Sequence, residues 1–251
     1  MNIVGLIQAR MSSRRMPGKV AEDIAGRPLL AHTIDRVMRA RTLSEVAVAT
    51  TTQPVDDRLV GIAREAGARW FRGSEHDVLG RFLAAARHFQ ADAVVRICGD
   101  CPLVDPGVID DAVSVHLREG ADYTDNCRLV KSFPRGLDAE VVNIDALEVA
   151  ARDGDTPEDR EHVTFYFYHT RPDRFRIAFL EADGPLRRPE LRFTVDVPED
   201  LALMRAIYDR LYGGEHYVPT EEAIELLDRE PELGAINEGV MQKVVVPGRA
   251  Y

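Results

Sequence analysis

The sequence begins with a short apolar run joined directly to a basic loop: Ile3-Val4-Gly5-Leu6-Ile7, then Gln8-Ala9-Arg10-Met11-Ser12-Ser13-Arg14-Arg15-Met16-Pro17-Gly18-Lys19. An unbroken apolar run is typical of a strand that is buried on both faces of a parallel sheet. A loop after such a strand can turn several backbone N–H groups toward one anion, and its arginines and lysine add positive charge. The loop lacks the glycine spacing of a Walker loop and of a dinucleotide fingerprint. It is either a phosphate site of another kind or a solvated basic loop.

Outward from this stretch, the first half of the chain alternates short apolar runs with helical periodicity. Strands are predicted at Glu45–Thr50, Arg69–Phe71 and Ala93–Ile97, and helices over residues 30–41, 56–66, 78–89 and 106–117. This order predicts an α/β fold with a mainly parallel sheet and helices on both faces. Ligands of such sheets bind beyond the carboxyl ends of the strands, which directs attention to the loops after Ile7, Thr50, Phe71 and Ile97.

The second half of the chain is less regular. The patterns predict strands at Glu140–Ile144, Arg176–Leu180 and Leu191–Val195, and helices at Ala146–Arg152, Glu158–Thr170, Thr220–Asp228 and from Pro198 onward. The tail, Gly239–Tyr251, is expected to be poorly ordered.

Composition limits the classes of function. The chain has 251 residues and a net charge of −10, but its first 41 residues hold eight basic and three acidic side chains. An acidic chain argues against bulk binding of nucleic acid or of an anionic membrane. The sequence has no signal-peptide pattern and no apolar stretch of about 18 residues, and its three cysteines form no disulfide framework. We therefore expect a protein of the reducing cytoplasm.

A second group of chemical residues follows the strand predicted at Ala93–Ile97. Asp100 comes after a glycine at the strand end, where a carboxylate can bind a hard cation such as Mg²⁺. The pair Cys98 and Cys101 has redox or zinc spacing. We discount both roles, because the following prolines favour an extended turn and Cys127 stands alone.

A third group is Phe193-Thr194-Val195-Asp196-Val197-Pro198-Glu199-Asp200. Asp196 lies between a predicted strand and a helix that begins at Pro198. It either caps that helix or supplies a second metal carboxylate opposite Asp100. Two carboxylates and a basic loop would together suit a nucleoside triphosphate with magnesium.

Six motifs follow one another along the chain. They are Gln8-Ala9-Arg10 through Lys19, Phe71 to Ser74 with Asp77-Val78-Leu79 and Arg81, Arg96-Ile97 with Gly99 to Leu103, Phe133 to Asp138 with Glu140, Arg160 to Thr164, and Thr194-Val195-Asp196 with Pro198 to Leu201. In this order they resemble the SpsF-type cytidylyltransferases, within the group of acylneuraminate cytidylyltransferase and CMP-KDO synthetase. The resemblance spans about residues 3–212, and the segment Asn237 to Lys243 is also similar.

The resemblance implies a Rossmann-like nucleotidyltransferase fold, CTP as the donor substrate and Mg²⁺ as the cofactor. It implies that Asp100 and Asp196 bind the metal, and that Arg10 and Lys19 act with them in catalysis. The implied nucleotide-binding residues are Gln8, Ala9, Arg10, Ser12, Ser13, Arg15, Lys19, Ser74, Asp77, Arg81 and Gly99. The implied acceptor-binding residues are Arg135, Asp138, Glu140, Glu161 and His162.

The resemblance also implies a cytidylyltransferase domain over residues 1–212. Within it, residues 125–180 would form an acceptor and homodimer subregion, and residues 213–251 would form a C-terminal helical extension and tail. His162 is either an acceptor residue, with a further role as general base, or a packed structural histidine.

The resulting hypothesis is cytidylyl transfer from CTP to an acidic sugar, nonulosonate or KDO-like, for a surface polysaccharide. One alternative keeps the fold and changes the acceptor to a phosphonate or a polyol phosphate, or changes the base. The other is a glycosyltransferase that uses a preformed nucleotide sugar. A binding module without catalysis is disfavoured by the joint presence of the carboxylates and the basic loop.

Overall fold

The computed structural model describes residues 1–213 and 217–241, so most of the predicted tail lies outside the described residues. The strands are β1 Ile3–Gln8, β2 Asp23–Ile24, β3 Arg27–Pro28, β4 Glu45–Thr51, β5 Arg69–Gly73, β6 Ala93–Cys98, β7 Tyr123–Asp125, β8 Glu140–Asn143 and β9 Ile177–Phe179. The helices are α1 Leu29–Val37, α2 Asp57–Glu65, α3 Val78–His88, α4 Pro106–Glu119, α5 Ile144–Asp153, α6 Pro157–Glu161, α7 Pro198–Leu211, α8 Thr220–Arg229 and α9 Pro231–Gly234.

Over the described residues, seven strands form one sheet in the order β5-β4-β1-β6-β8-β7-β9. The pairs β5·β4, β4·β1, β1·β6 and β7·β9 are parallel, and β8 is antiparallel to both of its neighbours. The prediction of a mainly parallel sheet is therefore confirmed. After β1 the chain crosses to β4 on one side of β1, and it later returns to form β6 on the other side of β1. The chain after β6 then continues toward β7, away from β4, so the connections that follow β1 and β6 lead to opposite halves of the sheet. Such a divergence creates a crevice at the strand ends.

Helices cover both faces of the sheet because the strand residues alternate between two apolar clusters. On one face, Ile3 and Ile7 pack with the apolar sides of α1, α2 and α4. On the other, Val4 and Leu6 pack with α3 and α5. The predicted helices on both faces are thus confirmed by this alternation.

Two elements predicted for the second half differ in the structure, and strand β7 and helix α9 were not predicted. Leu191–Val195 does not form a strand. Its Arg192 makes an isolated bridge to Arg135, because the segment lies between two loops and not beside a strand. The single helix predicted at Glu158–Thr170 is wrong as well. Helix α6 ends at Glu161, Val163 has a φ of +49°, and a π-helical turn follows at Tyr166–Thr170.

The C-terminal helices pack onto the main sheet unit. Helices α7, α8 and α9 share an apolar cluster with Ile24, Leu29 and Phe193. Arg36, which is 1% exposed, donates to the carbonyl oxygens of Val104 (2.6 Å) and Val218 and to the hydroxyl of Thr220 (2.6 Å). This buried guanidinium therefore ties α1 to the chain that leads into α8. None of the described helices combines the length and the apolar character that crossing a bilayer requires.

We predict that Arg36→Ala destabilises the protein by about 2–4 kcal/mol, because several buried oxygens lose their donor together. The measurement is urea unfolding. Arg39→Ala is the matched control, since both guanidinium groups lie over the Tyr217 ring but Arg39 is exposed. An Arg36→Ala variant that is no less stable than Arg39→Ala would contradict this role.

Candidate active site

A cavity of about 330 Å³ opens at the carboxyl ends of β1 and β6, in the crevice where the two loops diverge. Its wall includes many of the residues singled out from the sequence. These are Gln8, Ala9, Arg10, Ser13, Arg15, Lys19, Asp100, Arg135, Asp138, Glu161, His162 and Asp196. Arg14, Cys98, Cys101, Arg128 and Thr194, which were not predicted as site residues, also line it.

Lys19 lies at the centre of the cavity floor, which is formed by Lys19, Asp100 and Asp196. Its Nζ lies 2.5 Å from Oδ2 of Asp100, 2.7 Å from Oδ1 of Asp196 and 2.7 Å from the carbonyl oxygen of Val195. An ammonium group has three N–H donors, and all three are used here. Burial works to lower the pKa of Lys19, yet the two carboxylates raise it above its usual range, so the group stays charged.

The loop before Lys19 is shaped by its own backbone. Gly18 has a φ of +79°, which favours glycine, and its N–H donates to the carbonyl oxygen of Met11 at 2.8 Å. The loop begins against Asp56, whose Oδ1 accepts the N–H of Met11 at 2.7 Å and whose other oxygen accepts the hydroxyl of Thr51. Asp56 was not predicted, since the loop residue that it holds, Met11, is 45 residues away in sequence.

The two candidate metal carboxylates meet because three loops approach closely. The N–H of Val195 donates to the carbonyl oxygen of Asp100 at 2.8 Å. A Cβ at Gly99 would lie 2.9 Å from the carbonyl oxygen of Gln8, and one at Gly136 would lie 2.7 Å from the backbone of Phe193. Glycine at these positions therefore permits the loops to pack. For Gly99 this contact between loops was not foreseen from the sequence.

Asp196 is held in its charged form by the cations around it. Arg15 Nη2 lies 2.7 Å from Oδ1, and Arg192 Nη2 donates to Oδ2 at 2.9 Å. Burial works to raise the pKa of Asp196, but its neighbours, with Lys19 foremost, outweigh burial and bring that pKa down to about 2. Asp196 does not cap α7 with its side chain. The N–H groups of Asp196 and Val197 are accepted instead by Asp200.

The arginines of the loop after β1 are more exposed than the buried side chains of Lys19 and Asp196. The side chains of Arg10 and Arg15 are 28% and 38% exposed, and Arg14 is exposed as well. Arg10 Nη2 lies 3.9 Å from Oε1 of Glu161, a long ion pair. These guanidinium groups can therefore turn toward an anion that enters the cavity.

The predicted segment from Ser74 to Arg81 lies beside the cavity and not on its wall. Asp77 caps α3 by accepting the N–H of Gly80 at 2.9 Å, and Ser12 donates to Glu75 at 2.5 Å, which joins this segment to the first loop. Arg81 is 1% exposed and donates to the carbonyl oxygen of Ser74. Burial, reinforced by the charge of Arg10, lowers the pKa of Arg81 to about 10. Within the described part of the chain, its Nε and Nη2 have no hydrogen-bond partner.

A buried ion cluster around Glu140 lies behind the part of the cavity wall that Arg128 forms. This carboxylate is 0% exposed and accepts from Arg96, from the hydroxyl of Tyr123 (2.6 Å) and from that of Thr164 (2.7 Å). Burial works to raise the pKa of Glu140, but Arg96 and then Arg128 bring it down to about 2. Glu140 therefore supports the wall from behind, and its oxygens already have donors.

Arg128 is the cation of this cluster that faces the cavity. Its Nη2 lies 3.7 Å from Oε2 of Glu140, too far for a hydrogen bond, and its side chain is 21% exposed. Arg135, Asp138 and His162 also line the cavity, and His162 is near enough to Arg128 to feel its charge. Burial, aided by the charges of Arg96 and Arg128, lowers the pKa of His162, so its imidazole is neutral at pH 7.

The cysteines beside the cavity have the character of structural thiols. Burial raises the pKa of Cys98 to about 11 and that of Cys101 well above its usual value. A protonated thiol is a poor nucleophile and a poor metal ligand. Asp125, Cys127 and Glu140 lie close enough together to hold a metal. Asp125, however, already accepts the backbone N–H groups of Cys127, Arg128 and Leu129. That cluster is therefore satisfied by hydrogen bonds.

The donor set at Lys19 fits a divalent cation. One oxygen of Asp100 and one of Asp196 already point at a single positive centre, and carboxylate oxygens are the ligands that Mg²⁺ prefers. Mg²⁺ in protein sites usually has few carboxylates and takes phosphate or water oxygens for the rest. Two carboxylates next to loop arginines match that pattern.

Comparisons with known proteins agree with this geometry. The sequence model of the family described as Cytidylyltransferase matches residues 4–224. The spore coat polysaccharide biosynthesis protein SpsF of Bacillus subtilis is 34% identical over 242 residues, covering 94% of this chain and 98% of that protein. The 3-deoxy-manno-octulosonate cytidylyltransferase of Anaeromyxobacter dehalogenans is 30% identical over 246 residues, covering 82% of this chain and 97% of that protein.

A solved structure extends the likeness to the fold. A cytidylyltransferase from Leptospira borgpetersenii superposes with a TM-score of 0.86 at 29% identity, covering 93% of this chain and 97% of that chain. The nucleotidyltransferase fold that the motifs implied is thereby confirmed. With its family match over most of the sequence and relatives of 30% identity or more that match over nearly their whole length, this chain belongs to the cytidylyltransferase family and is a nucleotidyltransferase enzyme.

Proposed function

We propose that the protein transfers a cytidylyl group from CTP to a hydroxyl group of an acidic sugar, with Mg²⁺ as cofactor and release of pyrophosphate. The convergence of Asp100 and Asp196 on Lys19, in a cavity otherwise rich in arginine, is the observation that carries this proposal. Two relatives are named for polysaccharide biosynthesis and for 3-deoxy-manno-octulosonate. These names support a nonulosonate or KDO-like acceptor that enters a surface polysaccharide.

The loop after β1 would bind the triphosphate. The guanidinium forks of Arg10 and Arg15 suit phosphate oxygens, and both are exposed enough to reach them. Lys19 would exchange a carboxylate partner for a phosphate oxygen while remaining charged. Ala9 and Gln8, at the end of β1, would lie near the base.

The acceptor end would orient the attacking hydroxyl. The hydroxyl oxygen forms a bond to the α-phosphorus as the bond to the β-phosphate bridge oxygen breaks, and pyrophosphate leaves in line. Asp100 and Asp196 would hold Mg²⁺, which supplies charge stabilisation for the transferring and leaving oxygens when bound. The neutral imidazole of His162 can accept the hydroxyl proton, and Arg128 and Arg135 can bind the acid group of the sugar.

One alternative acceptor has a specific observation in its favour. Arg128 and Arg135 would bind a phosphonate or a phosphate ester as readily as a carboxylate, since the guanidinium fork matches both. A glycosyltransferase with a preformed nucleotide sugar would instead release no pyrophosphate. Pyrophosphate release with CTP, UTP or GTP and a panel of acids separates these readings.

We further propose a homodimer formed through residues 125–180. Strand β9 ends the sheet, so its outer edge is unpaired among the described residues, and its Phe179 is 45% exposed. Leu129, 48% exposed, lies nearby, since Asp125 pairs with Phe179 and accepts the N–H of Leu129. An exposed apolar sheet edge is unfavourable in a monomer.

The metal assignment predicts that Asp100→Asn and Asp196→Asn each lower pyrophosphate release by at least about a hundredfold, because developing charge loses its main support. Circular dichroism should show a folded protein in both variants. Glu199→Gln, an exposed change near Asp196, is the control and should keep full activity. Near-normal turnover in either aspartate variant would refute the assignment.

The acceptor assignment predicts that Arg128→Met raises the KM for the acidic acceptor about tenfold to a hundredfold, the value of a charged hydrogen bond. The KM for CTP should not change, because the described polar contacts of Arg128 are with Glu140 and Asp125 and not with the loop after β1. Lys131→Met removes an exposed charge from the same loop and should leave both constants as they are. Equal changes in both KM values would argue against a role confined to the acceptor.

The interface assignment predicts that Phe179→Asp converts the dimer to a monomer, since a charge would be buried without a partner. Sedimentation equilibrium measures the mass. Trp70→Asp alters an exposed aromatic on the opposite sheet edge, in β5, and should leave the dimer intact. A dimer that survives Phe179→Asp would exclude this edge.

A further inference from the structure

The C-terminal extension contacts residues directly behind the cavity wall through one buried amide. Asn237 follows α9 and is 5% exposed. Its Nδ2 donates to Oδ1 of Asp200 at 2.9 Å and to the carbonyl oxygen of Arg192 at 3.1 Å. Neither partner lines the cavity, so this contact lies behind the wall.

Asp200 accepts from donors in two separate parts of the chain, the segment from Arg192 to Val197 and Asn237. It is 0% exposed, and its Oδ1 also accepts from Nε of Arg192 at 2.8 Å. Its Oδ2 accepts the N–H of Asp196 at 2.9 Å and that of Val197 at 3.2 Å. A buried carboxylate with this many donors has one stable orientation, because losing any of them leaves a buried charge less well satisfied.

This arrangement determines which oxygen of Asp196 faces the cavity. Asp200 fixes the backbone of Asp196, and Arg192, held by Asp200, donates to Oδ2 of Asp196 at 2.9 Å. The remaining oxygen, Oδ1, is the one that contacts Lys19 and Arg15. The orientation of the proposed metal ligand Asp196 thus depends on the ion pair of Arg192 and Asp200, to which Asn237 donates a further hydrogen bond.

We propose that Asn237 is a positioning residue for Asp196, so that the C-terminal extension forms part of the site and orients the oxygen that would face the metal. The proposal rests on the proposed function only in taking Asp196 as a metal ligand. Residues that orient a ligand carboxylate by hydrogen bonding commonly govern metal affinity although they never touch the metal. An amide suits this place because it donates without adding charge to the balanced Arg192–Asp200 pair.

The competing explanation is that Asn237 only anchors the C-terminal segment. Leu233 provides the matched comparison, since it is 5% exposed in the apolar cluster that holds α7, α8 and α9 together. Leu233→Ala loosens the same segment without removing a donor from Asp200. Asn237→Leu removes both hydrogen bonds at nearly constant volume, and Asn237→Asp turns the donor into a carboxylate facing Asp200.

The test is Mn²⁺ binding to the full-length protein with CTP and without acceptor, followed by the EPR signal of free Mn²⁺, with melting temperatures in parallel. The Mn²⁺ affinity of Asn237→Leu should fall about tenfold to a hundredfold, as for other residues that support a metal ligand. Asn237→Asp should lose at least as much, whereas Leu233→Ala should keep the affinity of the unmodified protein despite a lower melting temperature.

Two results would overturn the proposal: an unchanged Mn²⁺ affinity in Asn237→Leu, or an equal loss in Leu233→Ala. Failure of the proposed function would have a different signature. The unmodified protein would bind Mn²⁺ with CTP but release no pyrophosphate with any acid. In that case the Mn²⁺ comparison still decides the role of Asn237.

Discussion

The structure of the site depends on one ammonium group that lies between two carboxylates. Lys19 is 7% exposed, and an isolated charge at that depth would be strongly destabilising. Asp100 and Asp196 would likewise repel each other without a cation between them. The three charges are therefore favourable only together, and each comes from a different part of the chain. Lysine suits this place better than arginine because a compact group with three donors meets three acceptors around one point.

The sheet topology explains why these parts can meet. The loops after β1 and β6 start from neighbouring strands, since Gln8 is in register with Cys98, and the chain continues from them to β4 on one side and to β7 on the other. The segment before α7 closes the crevice by bonding to both the loop at Asp100 and the loop at Arg135. Glycine at positions 99 and 136 removes the side chains that would hold these loops apart. The fold thus supplies the crevice, and backbone contacts between loops set the distances within it.

The sequence predicted those parts of the molecule that are encoded locally. Strands β1, β4 and β6 and their helices follow from unbroken apolar runs and helical periodicity, because burial repeats regularly there. Leu191–Val195 has the composition of a strand, but its neighbours are loops, and periodicity carries no information about neighbours. The helix predicted at Glu158–Thr170 is broken at Val163, where a β-branched residue adopts a left-handed φ that only tertiary contacts can impose.

The supporting residues of the site escaped the sequence for the same reason. Asp56, Arg128 and Asn237 act through partners that are 45, 12 and 37 residues away. Asp200 did have a local signal, since an acidic residue three positions after the residue that precedes a helix, here Val197, commonly accepts backbone N–H groups there. The order of the motifs predicted many residues of the cavity wall, whereas the residues that support the wall are identified only by their contacts in the folded structure.

The charge of the cavity reconciles an acidic chain with a polyanionic substrate. The wall carries six cationic side chains and four acidic ones, so its net charge is +2 although the whole chain carries −10. A nucleoside triphosphate with one divalent cation has a net charge of about −2, which this excess would balance. Lys19 and Arg15 neutralise the carboxylates of Asp100 and Asp196. When the triphosphate and a cation bind, phosphate oxygens would replace the carboxylates as partners of Lys19 and Arg15, and the cation would replace those two side chains as the partner of Asp100 and Asp196. Each carboxylate would thus have a positive partner before and after binding.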